Sequence, residues 1–269
     1  MQKNKLVYPL SNGKLLIWTL LIGYVFMTGF SKAKSREFYQ IKIYSIENEQ
    51  QEQRMDKFLE DAYLPALHRA GISKVGVFKP NEDHELWGKA IFVWIPFRSL
   101  KQFEKLPAKL NNDQQYQQDG RDYIDAKHDN APYKRIESIL LKAFKDMPRH
   151  GIPKHDTPPA ERVYELRSYE GPTEKLYRKK VEMFNEGGEV ILFNSLEFHA
   201  LFYGEVISGP TMPNLMYMTT FANKASQSEH WDAFRNHPDW LVLKEIEAYK
   251  NTVSKNVKYM LHPTDYSDL

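Results

Sequence analysis

Apolar and polar residues alternate along Phe38-Tyr39-Gln40-Ile41-Lys42-Ile43-Tyr44 and again along Val163-Tyr164-Glu165-Leu166-Arg167-Ser168-Tyr169. A period of two places one face of a strand in a core. Tyr39 falls on Tyr164 at an offset of 125 residues, and the other tyrosines and aliphatics superpose with them, so the chain reads as an internal repeat. Each opening strand is followed by a charged amphipathic stretch, residues 47–70 in the first copy and 173–185 in the second. In the first, Met55, Phe58, Leu59, Ala62 and Leu67 recur at the three-and-four spacing of a buried helical stripe, and Gly71 suits the C-terminal cap. In the second, Leu176, Val181 and Phe184 form the stripe ahead of Gly187-Gly188.

Strand pairs follow at residues 74–79 and 86–95 and at residues 195–203 and 215–221, joined by the reversals Pro80-Asn81-Glu82-Asp83 and Ser208-Gly209-Pro210. A second helix begins at Ser99 and at Lys224, and residues 135–144 and 256–262 close the copies as strands. Strand, helix, strand, strand, helix, strand is the split βαβ arrangement, a four-stranded antiparallel sheet with both helices on one face. The bare face of one such sheet needs a partner, and a second copy in the same chain supplies it. The predicted fold is therefore α+β: two tandem ferredoxin-like βαββαβ units forming a pseudo-dimeric α/β barrel. The first unit spans residues 37–145 and the second residues 161–265. Between them residues 146–160 hold Pro148, Gly151, Pro153, Pro158 and Pro159, the composition of a stiff, exposed linker.

At 269 residues the chain suits two such units, and with 42% hydrophobic residues each can bury a core. The formal charge of +2 hides an asymmetry. Lys3, Lys5, Lys14 and Lys32 lie in residues 1–33, where there is no acid, and without those four the remainder stands at −2. That body has no Lys/Arg stripe to attract a phosphate backbone, which argues against nucleic acid as a partner. The lysines precede an apolar run over residues 15–30 and the small-x-small tripeptide Ser31-Lys32-Ala33, the pattern of a signal peptide. The expectation is an exported protein, periplasmic or secreted, with no membrane contact after cleavage. An uncleaved anchor is the alternative, because Lys32, Lys34 and Arg36 could stop transfer. The absence of cysteine excludes disulfides, thiolate metal sites and a thiol nucleophile.

The second copy carries Tyr164-Glu165-Leu166-Arg167 on its opening strand and, further on, Glu229-His230-Trp231-Asp232-Ala233-Phe234-Arg235-Asn236-His237-Pro238-Asp239-Trp240. Both segments, in this order, resemble the NIPSNAP family over about 100 residues. In the first copy Leu100, Phe103 and Leu106 replace the helix aromatics, and its membership rests on the repeat. The resemblance implies the dimeric α/β barrel shared with small cofactor-free monooxygenases and haem-degrading proteins. It brings no agreed catalytic residues.

Trp231 and Phe234 share a helical face and should press onto the sheet. As a functional alternative, Trp231, Phe234 and Trp240, with Tyr164 and Tyr203, wall a ligand pocket between helix and sheet. On the second strand of copy two, Glu197, His199, Leu201 and Tyr203 are expected on one face, with Leu196, Phe198, Ala200 and Phe202 on the helix-facing one. Glu165, Arg167, Glu197 and His199 then gather on the inter-sheet face, where they could do acid-base work or form a satisfied ionic network fixing the docking of the copies. None of the nine histidines shows a metal-ligand spacing, no phosphate-binding or nucleophile-elbow motif occurs, and the cofactor stays unknown. Three functions remain: a small-molecule binder for an apolar or aromatic ligand, a cofactor-free monooxygenase or isomerase with His199 moving the proton and Arg167 holding an anion, or a structural or partner-binding module. A homo-oligomer is compatible with each.

Overall fold

The computed structural model describes residues 35–269, and the signal peptide read at residues 1–33 lies outside them. Eight strands are present: β1 (Phe38–Ser45), β2 (Gly76–Pro80), β3 (Ala90–Phe97), β4 (Arg135–Ala143), β5 (Val163–Glu170), β6 (Ala200–Ser208), β7 (Asn214–Phe221) and β8 (Lys255–Pro263). They close into one antiparallel barrel in the order β1-β3-β2-β8-β5-β7-β6-β4. Read by halves, β4-β1-β3-β2 and β8-β5-β7-β6 repeat one spatial order, with the first strand of each half at an inner position. The halves meet edge to edge at β2–β8 and β4–β6, so no free sheet edge remains.

Closure turns one face of every strand inward. Tyr39, Ile41, Phe92 and Trp94 from the first half interdigitate with Tyr164, Leu166, Phe202, Met218 and Leu261 from the second, all almost wholly buried. Aromatic contacts cross between the halves: Tyr39–Phe202 at 5.2 Å, Trp94–Phe202 at 5.9 Å and Phe78–Tyr164 at 4.8 Å between ring centroids. Such pairs contribute roughly 0.5–1.5 kcal/mol each beyond their area burial. Two further cores lie outside the barrel, one under the helices of each half.

In the first half these helices are α1 (Glu49–Phe58), α2 (Leu64–Arg69), α3 (Leu100–Asn111), α4 (Gln114–Asp119) and α5 (Arg121–Ile124). Asn48 and Ser99 cap α1 and α3 by accepting from the backbone N–H three residues on. A π-helical turn, Leu59–Tyr63, joins α1 to α2 immediately before Pro65. Proline has no N–H and its ring crowds the carbonyl four residues back, so a widened turn accommodates it without breaking the rod.

In the second half the helices are α6 (Glu174–Phe184), α7 (Glu189–Ser195), α8 (Lys224–Asn236) and α9 (Pro238–Leu243). Helix α7 ends at Ser195, the residue where the sequence pattern suggested the start of a strand, and β6 begins only at Ala200. Among the described residues no helix is long and apolar enough to cross a membrane.

Residues 146–160 are exposed or half-exposed, and none of them is buried. They run across the barrel end where β1 and β5 begin, and they are bonded to it. His150 donates its backbone N–H and offers Nδ1 to the Glu37 carboxylate at 2.9 and 2.8 Å, Gly151 N–H donates to the Leu201 carbonyl, and Thr157 donates to that of Ala222. His155 Nε2 lies 2.8 Å from Thr220 Oγ1. That hydroxyl donates to the His199 carbonyl, so His155 is the donor to it.

Burial lowers the His155 pKa from 6.5 to about 4, and the neighbouring His199, Arg162 and His230 add to the shift. As pH falls below 6.5 the unfolded chain therefore takes up this proton before the folded one does. The stability carried by neutral His155 is complete above pH 6.5 and is lost progressively down to pH 4. Denaturant midpoints measured at pH 7.5, 5.5 and 4 should fall more steeply for the wild type than for His155→Gln. Equal slopes would remove His155 from the acid response.

Candidate functional site

On β5, Tyr164 and Leu166 point into the barrel, and the residues between them face the helices of the second half. Glu165 and Arg167 therefore sit under α8, opposite to the inter-sheet face expected for them. Glu165 is fully buried and Arg167 is 9% exposed. One carboxylate oxygen of Glu165 accepts from the Arg167 guanidinium at 2.6 Å, and the other accepts from Trp231 Nε1 at 2.6 Å and Gln227 Nε2 at 2.8 Å. The guanidinium lies 3.6 Å from the centre of the Trp231 ring, a desolvated cation–π stack contributing about 2 kcal/mol. Arg167 also donates to the Tyr169 hydroxyl, which is bonded to that of Tyr217 at 2.8 Å.

A second ionic pair, Lys180–Glu189 at 2.8 Å, is buried in the same space. Burial raises the Glu189 pKa, against the pull of Lys180. Around these pairs Phe193 stacks on Phe234, Tyr203 and Phe184, Phe198 meets Phe193 edge-on, and Trp240 closes on Phe234 at 4.5 Å. Trp231 and Phe234 press onto the sheet as their spacing predicted, with 5% and 3% exposure. The space that Trp231, Phe234, Tyr203 and Trp240 were expected to wall is filled by their own side chains and the ionic pairs. Tyr164 is not in it, since its ring is inside the barrel against Phe78.

Glu197 and His199 stand apart from Glu165 and Arg167. Glu197 is exposed, in the left-handed turn after α7 with φ 56°, and His199 is exposed at the strand entrance, edge-on to the His155 ring at 5.0 Å. The expected four-residue constellation does not form, for two reasons. The turn occupies the residues thought to begin the strand, and a bulge shifts the register between Ala200 and Phe202, which reverses the alternation. Beyond the bulge Phe202 faces the barrel interior and Tyr203 the helices, the opposite of the expected order.

The first half holds a cluster that the sequence reading passed over. Lys42 projects from β1 toward the helices, with Nζ 4.9 Å from the centres of both the Tyr44 and Tyr63 rings. Tyr63 comes from the π turn. Among the described residues Lys42 makes no ion pair or side-chain hydrogen bond, and burial lowers its pKa to about 8. The Tyr44 hydroxyl is buried without a partner, near the Tyr123 hydroxyl but outside hydrogen-bonding geometry. The rings run on outward: Tyr44 to Tyr133 at 5.7 Å, Tyr133 to Tyr123 at 5.6 Å, and Tyr123 stacked on Phe58 at 3.6 Å. Phe58 and Tyr123 form the floor of a cavity of about 280 Å³, with Arg54, Lys57 and Asp119 at its rim. The repeat offset was the signal that could have found this cluster, because it sets Gln40, Lys42 and Tyr44 on Glu165, Arg167 and Tyr169. Among the described residues no group of three or more His, Asp or Glu is arranged to hold a metal ion.

A closed antiparallel barrel with helices outside each half is an α+β fold of the dimeric α/β barrel kind, here completed by one chain. The NIPSNAP family model matches residues 164–268, in the second half of the chain. Among solved structures, a candidate monooxygenase from Lactobacillus acidophilus NCFM is 11% identical with a TM-score of 0.56, over 85% of this chain and 94% of that one. A candidate monooxygenase from Fusobacterium nucleatum subsp. nucleatum ATCC 25586 is 11% identical with a TM-score of 0.55, over 86% and 93%. An anthrone oxidase-like protein is 10% identical with a TM-score of 0.50, over 86% and 93%. At such identities the likeness is one of fold. No curated protein matches the chain.

Removing one member of a buried ion pair leaves the other charge uncompensated, which costs about 3–5 kcal/mol, whereas replacing both by apolar residues is often neutral. Glu165→Ala should lower the unfolding free energy from urea titration by that order. Glu165→Leu combined with Arg167→Met should recover at least half of the loss, the remainder being the unpartnered Trp231 Nε1. If the double variant is no more stable than Glu165→Ala, the pair does not act as a unit.

Proposed function

We propose that this protein binds a small aromatic or apolar molecule, and that the binding half is the first one. The two halves are read as tandem ferredoxin-like units whose helix–sheet spaces have diverged. The observation that carries the reading is the contrast between them. The second space is closed by its own rings and ion pairs, and the first keeps a cavity floored by Phe58 and Tyr123 and rimmed by Arg54, Lys57, Asp119 and Asp122. Apolar walls with a few placed polar groups are what a small-molecule site offers. In this reading the second half completes the barrel and holds it rigid.

Calorimetric titration with 1-naphthol, a neutral aromatic probe, should show saturable binding. Tyr123→Ala should weaken it about tenfold, roughly 1.4 kcal/mol, and Trp231→Phe should leave it unchanged. The reverse pattern would return the pocket to the second half, and no saturable binding would favour a purely structural module.

A second reading, a cofactor-free monooxygenase or isomerase, draws support from Lys42 rather than from His199. An amine with a pKa near 8 exchanges protons readily at neutral pH, and the tyrosine rings shield it. Oxygen uptake with an electron-rich phenol, abolished in Lys42→Met, is the expected sign of that activity. Uptake indifferent to Lys42→Met would exclude this residue as the proton carrier.

A further inference from the structure

His150 carries the connection between the halves to the wall of a second cavity, about 230 Å³ in volume, at the barrel end where β1 begins and β3 ends. Lys74 from the turn before β2, Arg98 just past β3, Gln102 on α3 and Glu37 line the same cavity. It shares no residue with the cavity floored by Phe58 and Tyr123. Ligands of drug size need roughly 300–1,000 Å³, so this smaller space suits a single compact group.

The bonds already made leave this wall rich in unused donors. Gln102 accepts the Arg98 backbone N–H at its Oε1 at 2.8 Å, which keeps its amide NH2 free to donate. Arg98 gives one guanidinium nitrogen to the Gly71 carbonyl at 3.1 Å, which orients the group and leaves its other N–H donors open. His150 commits its backbone N–H and Nδ1 to Glu37, and Nε2 remains. Glu37 is the acid among the lining residues, and its carboxylate is taken up by these two bonds. The cations nearby in the chain, Arg69 and Lys79, are each held by an acid, Arg69 by Asp113 and Lys79 by Glu52 and Asp56. Among the described residues Lys74 and Arg98 have no such partner, and residues 1–34 contain no acid to supply one.

Two cations without an acid, on one small cavity with further donors, match a compact group carrying two negative charges. We propose that this cavity seats a phosphate dianion, free or as the terminal group of a small monoester. The Arg98 guanidinium meets two of its oxygens as a fork, Lys74 supplies the second positive charge, the Gln102 amide donates, and His150 Nε2 shares a proton with it. A carboxylate would leave one of the two cations unmatched.

Calorimetric titration at pH 8 and constant ionic strength tests the charge count, because methyl phosphate is dianionic above its second pKa of about 6 while dimethyl phosphate stays a monoanion. Methyl phosphate should bind about tenfold tighter than dimethyl phosphate, and Arg98→Gln and Lys74→Gln should each weaken it about tenfold. Lys101→Gln, which removes an exposed cation of α3 outside the cavity wall, should leave binding unchanged. Neither Arg98 nor Lys74 is buried, so their variants should unfold at the wild-type temperature. Inorganic phosphate binding as tightly as methyl phosphate would identify the free ion as the occupant, and weaker binding the monoester. Equal affinity for the two methyl esters, an equal loss in Lys101→Gln and Arg98→Gln, or no saturable binding of any phosphate would overturn the seat. Titration of 1-naphthol tests the aromatic cavity separately, since the two sites have no residue in common.

Discussion

Everything in this molecule follows from the need to bury the second face of a four-stranded sheet. Each half covers one face with its own helices and leaves the other bare, and a bare face carrying Tyr39, Ile41, Phe92 and Trp94 cannot stand in water. The two halves solve the problem for each other. Their edge strands join at β2–β8 and β4–β6, and the inward rings of one half fill the gaps of the other. Since the interior is a packed aromatic core drawn from both halves, space for a ligand remains only outside it, at the barrel end and under the helices.

The barrel offers two spaces under helices by pseudo-symmetry, and the chain has used them differently. In the second half Glu165 couples β5 to α8 through Arg167, Trp231 and Gln227, which makes the helix and sheet one rigid unit. In the first half the matching positions are Gln40 and Lys42, the helix aromatic is replaced by Leu106, and tyrosines from the π turn and from α5 fill in around the lysine. Both arrangements obey one rule, that a buried cation needs compensation. One is compensated by a carboxylate, and the other by two tyrosine faces.

The connection between the halves adds a constraint of its own. Because β4 ends and β5 begins at one end of the barrel, the chain between them must cross that end, and its polar groups find partners there in Glu37, Leu201, Thr220 and Ala222. A proline-rich stretch reads as an unattached spacer when its bonding partners are unknown. Here those partners lie 50 to 113 residues away along the chain, so no local pattern could have named them.

What the sequence by itself determined is whatever rests on short-range periodicity and on its repetition: eight strands, the major helices of each half, the repeat offset, and the press of Trp231 and Phe234 onto a sheet. These depend on contacts within a strand or a helical turn, and a period of two or of 3.6 records them directly. Tertiary structure alone decided which face of β5 is inside. Alternation separates two faces without saying which one meets helices, and Glu165 looked like an inter-sheet residue until Trp231 and Gln227 were seen to satisfy it. The bulge between Ala200 and Phe202 was hidden for the same reason, since one unpaired residue reverses a phase and leaves no mark in composition. Lys42 was hidden too, although the repeat pointed to it. A lysine on a strand reads as a solvated face, and only the tertiary structure packs Tyr44 and Tyr63 around its ammonium.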